Sequence, residues 1–541
     1  MTMKESKERW HGVRGLILLA GVLVSAGLPA AWAATWVVPG DFPDLRTAYD
    51  AANGHDTILV RPGHYSGDNW TEIFFFDKPV NVIGEAGPAA TVIDGRGIDR
   101  AIHFRDLHDD SMLFEGFTIT NCVGEFIGAV TFHENSSGTL RNCIIENCHT
   151  TATTPPVVGE GGGLRIWGSS PVIEDVIIRN CHALQGGGCN ILVNSNPVFR
   201  RVRIENCSGG GVMASENCNP YFEDCVFTGN TASEYSYTAG VGIYIGGSGH
   251  FVRCLIAGNT NTLDNSGGVH IGNSTTVFDH CMIINNSAVD LAGGVMCHQG
   301  ATPVFNYCTL AGNSAGSNGD GIGTFGNSRP VFNDCIIWQP GNELYSESGG
   351  TADFMNCNIS TDIGGSNWSI PPMFIDETYH IDMISPCRDR GRDTGERIDI
   401  DGDWVENAAE IWDVGADEIF QPVTGSITAT IDMPQSQFRP GDGCYLKIGL
   451  SNRGSGILHA NLILVLDVYG DYFMWPSWGD HFDRGVIPVP SGGSETGIFP
   501  FFIWPTGAGT ASGLAFYAGL MNMELTEVIS NVHSFSFGWT E

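Results

Sequence analysis

Two rows of side chains in the glycine-rich middle of the sequence combine aromatic rings with imidazole, amide and guanidinium groups. Strand alternation turns every second residue of the glycine-led segments outward. The first row contains Arg165, Asn190, Met213, Tyr244, His270 and Met296. The second row contains Trp167, Leu192, Ser215, Gly246, Gly272 and His298. Such side chains suit stacking on sugar rings and hydrogen bonding to hydroxyls. The candidate substrate-binding residues are therefore Arg165, Trp167, Asn190, Tyr244, His270 and His298.

Three of these side chains are also candidate catalytic residues. A lyase that acts on a polyuronide needs a base near the C5 proton and a cation that neutralises the carboxylate. His270 and His298 supply imidazoles, and Arg165 supplies a cation. They lie on different repeats and form no recognised catalytic set, so the sequence leaves open whether the protein is an enzyme.

One acidic segment has the spacing of a calcium loop. "DIDGDW" places Asp399, Asp401 and Asp403 at alternate positions around Gly402. No glutamate follows at the distance that an EF-hand requires, so the alternative is a solvated acidic turn. Ca²⁺ is the one cofactor that the sequence suggests, at these three aspartates.

A repeat of short strands must position these side chains. Six-residue segments such as "VIIRNC" and "CLIAGN" recur at intervals of 23 to 33 residues between residues 117 and 313. Each repeat holds three apolar runs of three to five residues, parted by Gly, Ser, Asn and Pro. Helical repeats need a longer apolar period, so this pattern predicts an all-β chain of stacked parallel coils about 4.8 Å apart.

The repeats resemble those of right-handed parallel β-helix proteins of the pectin-lyase-like class. "DLRTAYDAANGHDTILVRPGHY" is similar to the usual opening of these proteins, in which Asp44 begins a short helix and Gly54 ends it. The expected buried face of that helix is Leu45, Ala48, Tyr49 and Ala52. "SPCRDRGRDTGERIDIDGDW" resembles the closing segment of bacterial β-helix proteins, although Arg388 stands where an apolar residue is usual. The resemblance covers roughly residues 35–420 and implies a polysaccharide partner.

The activity of that class is not visible in the sequence. Polygalacturonase-like hydrolases carry four short motifs, of which "SNGDGIG" offers only the first, through Asn318, Asp320 and Gly321. The Asp-Pro-His-Asp of alginate epimerases is absent, as is a clear pectate-lyase pattern. The resemblance therefore specifies the fold better than the activity, and we interpret Asp320 as a chance match.

Stacking predicts three structural columns. The first residue of the last strand in each coil reads Phe117, Cys143, Val176, Val202, Cys225, Cys254, Cys281, Cys308, Cys335 and Cys357. Since this column mixes cysteine with Val and Phe, and parallel neighbours exceed the Cβ separation of a disulfide, we expect buried free thiols. Asn230, Asn259, Asn286 and Asn313 should form an amide ladder. Acidic and basic residues alternate before the cysteine column, as in Glu115 and Arg141, and should pair.

The chain divides into three parts. Residues 1–33 have the basic start, apolar core and "AWA" site of a cleaved signal peptide, so the mature chain should begin at Ala34 and be secreted or lie on the cell surface. Residues 34–423 should form the β-helix with its capping helix, and residues 424–541 a small antiparallel β-sandwich. The aromatic patch of this last part, Tyr472, Trp475 and Trp478, either binds sugar or seals the sandwich edge; we favour sealing.

The bulk composition restricts the partners. Sixty acids against 26 Lys and Arg give a net charge of -34, which argues against nucleic acid. No later apolar run is long enough for a membrane span. We expect a secreted protein that binds polysaccharide along one face, non-catalytic or with unidentified carbohydrate-active chemistry. The alternatives are a pectin-lyase-like lyase or glycoside hydrolase, and a surface adhesion or structural protein, because the "GGG/GGV" elements resemble those of outer-membrane adhesins.

Overall fold

The computed structural model describes residues 33–376 except 77, 99, 108–110 and 154–157. Beyond them it describes 378–382, 385–388, 390–392, 399–400, 412–417 and parts of 427–539. The predicted signal peptide, apart from its last residue, lies outside the described residues. Among the described residues, the search for a helix long and apolar enough to cross a membrane finds none.

The predicted right-handed parallel β-helix is confirmed. Successive coils each give one short strand to three parallel sheets, which we call sheets 1, 2 and 3. Sheet 1 comprises Ile73–Phe76, Ile102–Arg105, Val130–His133, Leu164–Trp167, Cys189–Leu192, Val212–Ala214, Val241–Tyr244, Val269–Gly272, Val295–His298, Ile322–Thr324 and Leu344–Ser346. Sheet 2 comprises Thr35–Val38, Thr57–Val60, Asn81–Gly84, Leu113–Glu115, Thr139–Arg141, Val172–Glu174, Val198–Arg200, Tyr221–Glu223, His250–Val252, Val277–Asp279, Val304–Asn306, Val331–Asn333 and Asp353–Met355.

Sheet 3 and two small sheets complete each coil. Sheet 3 comprises Gly63–Ser66, Thr91–Asp94, Thr118–Thr120, Ile144–Glu146, Ile177–Arg179, Arg203–Glu205, Val226–Thr228, Leu255–Ala257, Met282–Ile284, Thr309–Ala311, Ile336–Trp338 and Asn358–Ile359. The small sheets comprise Val123–Gly124 with His149–Thr150, and Thr260–Asn261, Ser287–Ala288 and Ser314–Ala315. Strand alternation sends one apolar face of each of the three large sheets into a common core.

The predicted helix near the N-terminus is present as Leu45–Ala51. Asp44 caps it, because its carboxylate accepts a hydrogen bond from the backbone N–H of Thr47 at 2.9 Å. Its buried residues include Leu45, Ala48 and Tyr49, as expected. The helix packs against the first two strands of sheet 2.

The expected role of Gly54 is wrong. The helix ends at Ala51, and Ala52 is its C-cap in an extended conformation, with its N–H donating to the carbonyl of Ala48. Lys78 donates from Nζ to the carbonyl of Ala52 at 2.9 Å and so satisfies a carbonyl at the helix end. A side chain from the next coil therefore replaces the glycine cap that the sequence suggested.

Aromatic and thiol columns fill the core as the repeat predicts. Phenylalanines on successive strands of sheet 2 stack with ring centroids 4.5–4.7 Å apart, from Phe199 through to Phe332. The fifteen cysteines from Cys122 to Cys387 are free and buried, which confirms the prediction of free thiols. The thiols also accept backbone hydrogen bonds along the stack, as Cys281 does from the N–H of Cys254 at 3.4 Å.

The predicted asparagine ladder runs along the corner after sheet 3. The amide of Asn230 donates to Oδ1 of Asn259 at 3.0 Å, and that of Asn259 donates to Asn286 at 2.9 Å. The next step, from Asn286 to Asn313, is 3.0 Å. Each of these donors also reaches a backbone carbonyl, so the ladder satisfies buried polar groups where the chain turns.

The charges that flank sheet 2 pair from coil to coil. Arg141 lies 2.8 Å from Glu115, and Arg253 lies 2.7 Å from Asp224. Arg201 contacts Asp175 and also the glutamate that precedes Asp175 in the sequence. The predicted alternation of charge sign is confirmed, and these side chains form ion pairs between coils.

The described strands after residue 426 are mostly antiparallel. They are Ile427–Asp432, Gln437–Phe438, Gly443–Cys444, Lys447–Asn452, Leu458–Val468, Asp471–Met474, Gly485–Val489, Ser494–Ile498, Phe502–Ile503, Ala511–Met521 and His533–Trp539. They enclose a separate apolar core that includes Ile448, Leu464 and Phe516. Trp475 and Trp478 lie outside the described residues, so the function of the aromatic patch stays a prediction.

Candidate functional site

A cleft of about 680 Å³ lies on the outer face of sheet 1. Five of the six candidate binding residues line it: Arg165, Trp167, Tyr244, His270 and His298. They come from strands of separate coils that stack side by side in parallel register. The repeat thus brings together side chains that are more than a hundred residues apart in the sequence.

The predicted register of Tyr244 is wrong by two residues. Val241, not Ile243, pairs with Val212 of the preceding coil, so Gly242 faces outward in the first row. Tyr244 pairs with Gly272 and belongs to the second row, beside Trp167 and His298. Gly246 lies beyond the strand.

Asn190 does not line the cleft, which corrects its assignment as a binding residue. The side chain is fully buried, and its amide donates to the carbonyl of Gln185 at 3.4 Å. Its Oδ1 has no hydrogen-bond partner among the described residues. The loop before the strand covers this position, and strand alternation alone does not reveal such a cover.

Arg165 and Trp167 form one side of the cleft. The guanidinium of Arg165 donates to Glu160 at 2.8 Å and lies 5.0 Å from the centre of the Trp167 ring. Trp167 is 36% exposed and packs edge-on against His133. The tryptophan is thus held in place while part of its ring stays open, and the charge of Arg165 is compensated by a carboxylate that the sequence reading did not single out.

Three rings form the floor of the cleft. Tyr244 packs edge-on against His270, with ring centroids 5.2 Å apart, and His270 lies 4.6 Å from His298. The ring of His298 leans over Gly272, where a Cβ would overlap its Nε2. The hydroxyl of Tyr244 donates to the carbonyl of Ser236 at 3.4 Å. A glycine on the outward face therefore makes room for the imidazole.

Burial disfavours the charged form of both histidines. Burial lowers the pKa of His270 to about 3, and burial also lowers the pKa of His298. Nδ1 of His270 lies 3.3 Å from the carbonyl of Tyr237 and must carry the proton, since a carbonyl only accepts. Nε2 of His270 is therefore an acceptor, and neither it nor Nε2 of His298 has accessible surface or a hydrogen-bond partner among the described residues. An unpaired buried acceptor costs about 1–3 kcal/mol.

The rim of the cleft carries strained apolar side chains. In the seven successive coils from Val130–His133 to Val295–His298, a residue one or two positions after the sheet 1 strand adopts a left-handed φ. These residues are Glu134, Gly168, Val193, Glu216, Ile245, Asn273 and Gln299. Val193 and Ile245 are the β-branched residues of this set, for which such a φ is an outlier. Ile245 is also 60% exposed and lines the cleft, so it is both strained and open to solvent. Strain of this kind clusters at functional sites.

Tyr237 is a cleft residue that the column analysis missed. It lies in the loop "TASEYSYTA", is 52% exposed, and holds His270 through its carbonyl. The loop is one of the variable segments that feed the glycine-led strands, and variable loops beside a rigid sheet often bind ligands. An aromatic residue in that loop was the available signal.

The other candidate groups lie apart from the cleft. Asp399 is buried, whereas Asp401 and Asp403 lie outside the described residues, so the calcium loop stays a prediction. In the part of the chain that the structure describes, a search for groups of three or more possible metal ligands finds none. Asp320 accepts the backbone N–H of Ala315 at 2.6 Å, a structural contact consistent with a chance motif match.

The coils and one family model agree on the fold. Residues 35–359 fold as a right-handed parallel β-helix, and the family model "Right handed beta helix region" matches residues 107–259 and 231–367. A solved pectin methylesterase from Aspergillus niger, in deglycosylated form, is 12% identical over 64% of this chain and 93% of that chain, with a TM-score of 0.22. A likeness at that TM-score supports no conclusion about site or activity. A search of curated proteins gives no significant match.

Proposed function

We propose that this protein binds a carbohydrate polymer in the cleft of sheet 1 without cleaving it. The observation that carries the proposal is a single cleft whose lining combines exposed apolar surface with polar side chains. Trp167, Tyr237 and Ile245 offer exposed surface for the C–H faces of sugar rings. The exposed carboxylate of Glu216, which also lines the cleft, suits sugar hydroxyls.

The electrostatics favour binding over catalysis. A pKa of about 3 makes His270 a weak base, whereas a general base works best with a pKa near the operating pH. Arg165 already pairs with Glu160 and is not free to neutralise a uronate. Glu160 precedes its strand and Glu216 follows its strand, so the two carboxylates lie at opposite ends of the sheet 1 strands, and Glu160 is paired with Arg165.

The length of the site favours a polymer. The strands from Leu164–Trp167 to Val295–His298 are six neighbours in sheet 1, and five steps of about 4.8 Å span about 24 Å. Phe76, which is 53% exposed, extends the second row three coils before Trp167. A surface of this length accommodates several consecutive sugar units.

The test is a panel of oligosaccharides and polysaccharides bound to the wild-type protein and to Trp167→Ala and Tyr237→Ala. We expect each variant to weaken glycan binding by about tenfold, the loss of one stacking contact. Tyr221→Ala is the matched control, since Tyr221 lies on sheet 2, away from the cleft. Unchanged binding in both cleft variants contradicts the proposal.

The same panel tests the absence of catalysis. Each glycan is incubated with the protein and analysed for unsaturated and reducing-end products. We expect no products above the buffer control. Product formation that His270→Ala abolishes would show a lyase or hydrolase instead of a binding protein.

A further inference from the structure

We infer that the outer face of sheet 1 binds one extended, neutral, β-1,4-linked glycan chain of about ten sugar units, whose long axis runs along the axis of the coils. This inference rests on the proposed function and extends the same site beyond the cleft in both directions. Three properties carry it: the spacing of aromatic residues along the second row, the confinement of exposed rings to one face, and the length of each coil step.

An aromatic residue occupies the second row at every third coil. Phe76, Trp167 and Tyr244 end the first, fourth and seventh strands of sheet 1. Phe325 directly follows the tenth strand, in register with His298 of the coil before it. We call Phe76, Trp167, Tyr244 and Phe325 the aromatic track. Three coil steps of about 4.8 Å place consecutive members about 14 Å apart, an interval that suits a polymer with a regular repeat.

The exposed aromatic rings lie on sheet 1 or in loops that lead into it. Of the residues whose exposure the structure describes, the aromatic side chains that are at least 36% exposed are Phe74, Phe76, Phe126, Trp167 and Tyr237. Phe126 and Tyr237 lie in the loops before the third and seventh strands of sheet 1. A contiguous exposed apolar surface marks an interaction site. This surface is confined to one face of the coils, and it is longer than the cleft.

The first strand of sheet 1 forms an aromatic platform outside the cleft. Phe74 and Phe76 are both exposed, and neither lines the cleft. The backbone N–H of Phe76 donates to the hydroxyl of Tyr49, in the capping helix, at 2.8 Å. The ring of Phe74 stacks on His103 of the next coil, with centroids 4.4 Å apart. The two phenylalanines therefore project from a strand that is already held in place, which lowers the entropic cost of binding.

Two rings of the aromatic track lean over glycines of the first row. A Cβ at Gly242 would lie 2.6 Å from the ring of Tyr244, and a Cβ at Gly323 would lie 3.0 Å from the ring of Phe325. The rings therefore add little height to the sheet, which leaves a straight path for a chain. Tyr244 is itself buried, and Tyr237, in the loop of the same coil, supplies the exposed ring at this position.

The coil step determines the shape of the chain that can use these contacts. One sugar unit of an extended β-1,4-linked chain is about as long as one coil step of about 4.8 Å. Every third unit of such a chain meets a ring, over about 43 Å from Phe76 to Phe325. An α-1,4-linked chain coils, so its successive units turn away from the sheet. The spacing therefore favours an extended chain over a coiled chain of the same sugar.

The arginines of the two rows are already paired. Arg105 lies 2.6 Å from Glu134, and Arg165 lies 2.8 Å from Glu160. Their charges are thus compensated within the protein and are not needed by the ligand. The affinity comes instead from ring stacking and from hydrogen bonds to hydroxyls, which a neutral sugar supplies.

The experiment measures affinity against chain length by calorimetry. Chains of β-1,4-xylose, β-1,4-glucomannan and α-1,4-glucose are each used at six and at twelve units. A hexasaccharide fills the cleft, which spans six strands, whereas twelve units reach both Phe76 and Phe325. We expect the tighter-binding β-1,4-linked dodecasaccharide to exceed its hexasaccharide about a hundredfold, since it gains two ring contacts of about tenfold each. We expect no such gain for the α-1,4-glucose chains.

Phe76→Ala locates the gain. It should weaken binding of that dodecasaccharide about tenfold and binding of the hexasaccharide less than about twofold. The side chain is exposed and the hydrogen bond to Tyr49 uses the backbone, so the variant should fold as the wild type does. Tyr221→Ala, on sheet 2, is the matched control and should leave both affinities unchanged.

The outcomes separate this inference from the proposed function. Equal affinity of the two lengths overturns the long track but leaves a glycan-binding cleft. A gain of about sevenfold that Phe76→Ala does not reduce reflects only the seven registers in which six of twelve units can bind, and it also overturns the inference. An α-1,4-linked dodecasaccharide that binds as tightly as the β-1,4-linked ones overturns the preference for an extended chain. Failure of all the chains overturns both the inference and the proposed function.

Discussion

Replacing Ile245 by asparagine should stabilise the protein while weakening its ligand binding. Ile245 has a φ of +54°, and a left-handed backbone costs a residue with a Cβ about 1–2 kcal/mol. Asparagine tolerates this region and already occupies it in the next coil at Asn273. The side chain is 60% exposed, so losing its buried part costs at most about 1 kcal/mol. We expect Ile245→Asn to raise the free energy of unfolding by about 0.5–1 kcal/mol.

Urea unfolding measures the change in stability. Titration with the tightest-binding oligosaccharide of the panel measures the change in affinity. Binding should weaken about tenfold, because the variant removes an apolar contact at the rim. Leu263→Asn is the matched control: Leu263 is 56% exposed but does not have a left-handed φ, so it should gain no stability. Loss of stability in Ile245→Asn together with unchanged affinity would refute the reasoning, since Ile245 would then serve packing.

Three further predictions address the scaffold and its protonation. Asn259→Ala breaks the ladder between Asn230 and Asn286 and should lower the free energy of unfolding by about 3 kcal/mol, read from urea midpoints. The pKa of His270 in the folded state, about 3, lies below its unfolded value, so its stabilising contribution is present above about pH 6.5 and is lost as pH falls toward 3. His270→Phe should therefore lose less stability than wild type between pH 7 and pH 5; an equal loss contradicts the assignment. Burial raises the pKa of Cys297, so a thiol reagent should label it only in urea, and rapid labelling of the native protein would contradict its burial.

The fold could be predicted from the sequence because each coil repeats the same three short apolar strands. Cysteine and asparagine each recur at one position in several successive coils, and stacking alone turns that recurrence into contacts such as Asn259 with Asn286. Alternating charges could be predicted to pair for the same reason. The periodicity of the sequence therefore predicts the contacts that recur between neighbouring coils.

The site was predicted less completely because it depends on departures from the repeat. "VGIYI" satisfies strand alternation in two registers, and the choice between Val241 and Ile243 requires the neighbouring coil. The cover over Asn190 and the approach of Tyr237 to His270 depend on loop conformation, which has no period. The backbone strain at Ile245 can be recognised only when the left-handed φ of this residue is known from the structure.

The central claim is that the cleft of sheet 1 holds a glycan. A crystal structure of the protein with the tightest-binding hexasaccharide tests it most directly. We expect one sugar ring to lie against Trp167 and a ligand hydroxyl to lie within about 3 Å of a carboxylate oxygen of Glu216. An intact hexasaccharide bound elsewhere, with the cleft empty, would contradict the claim.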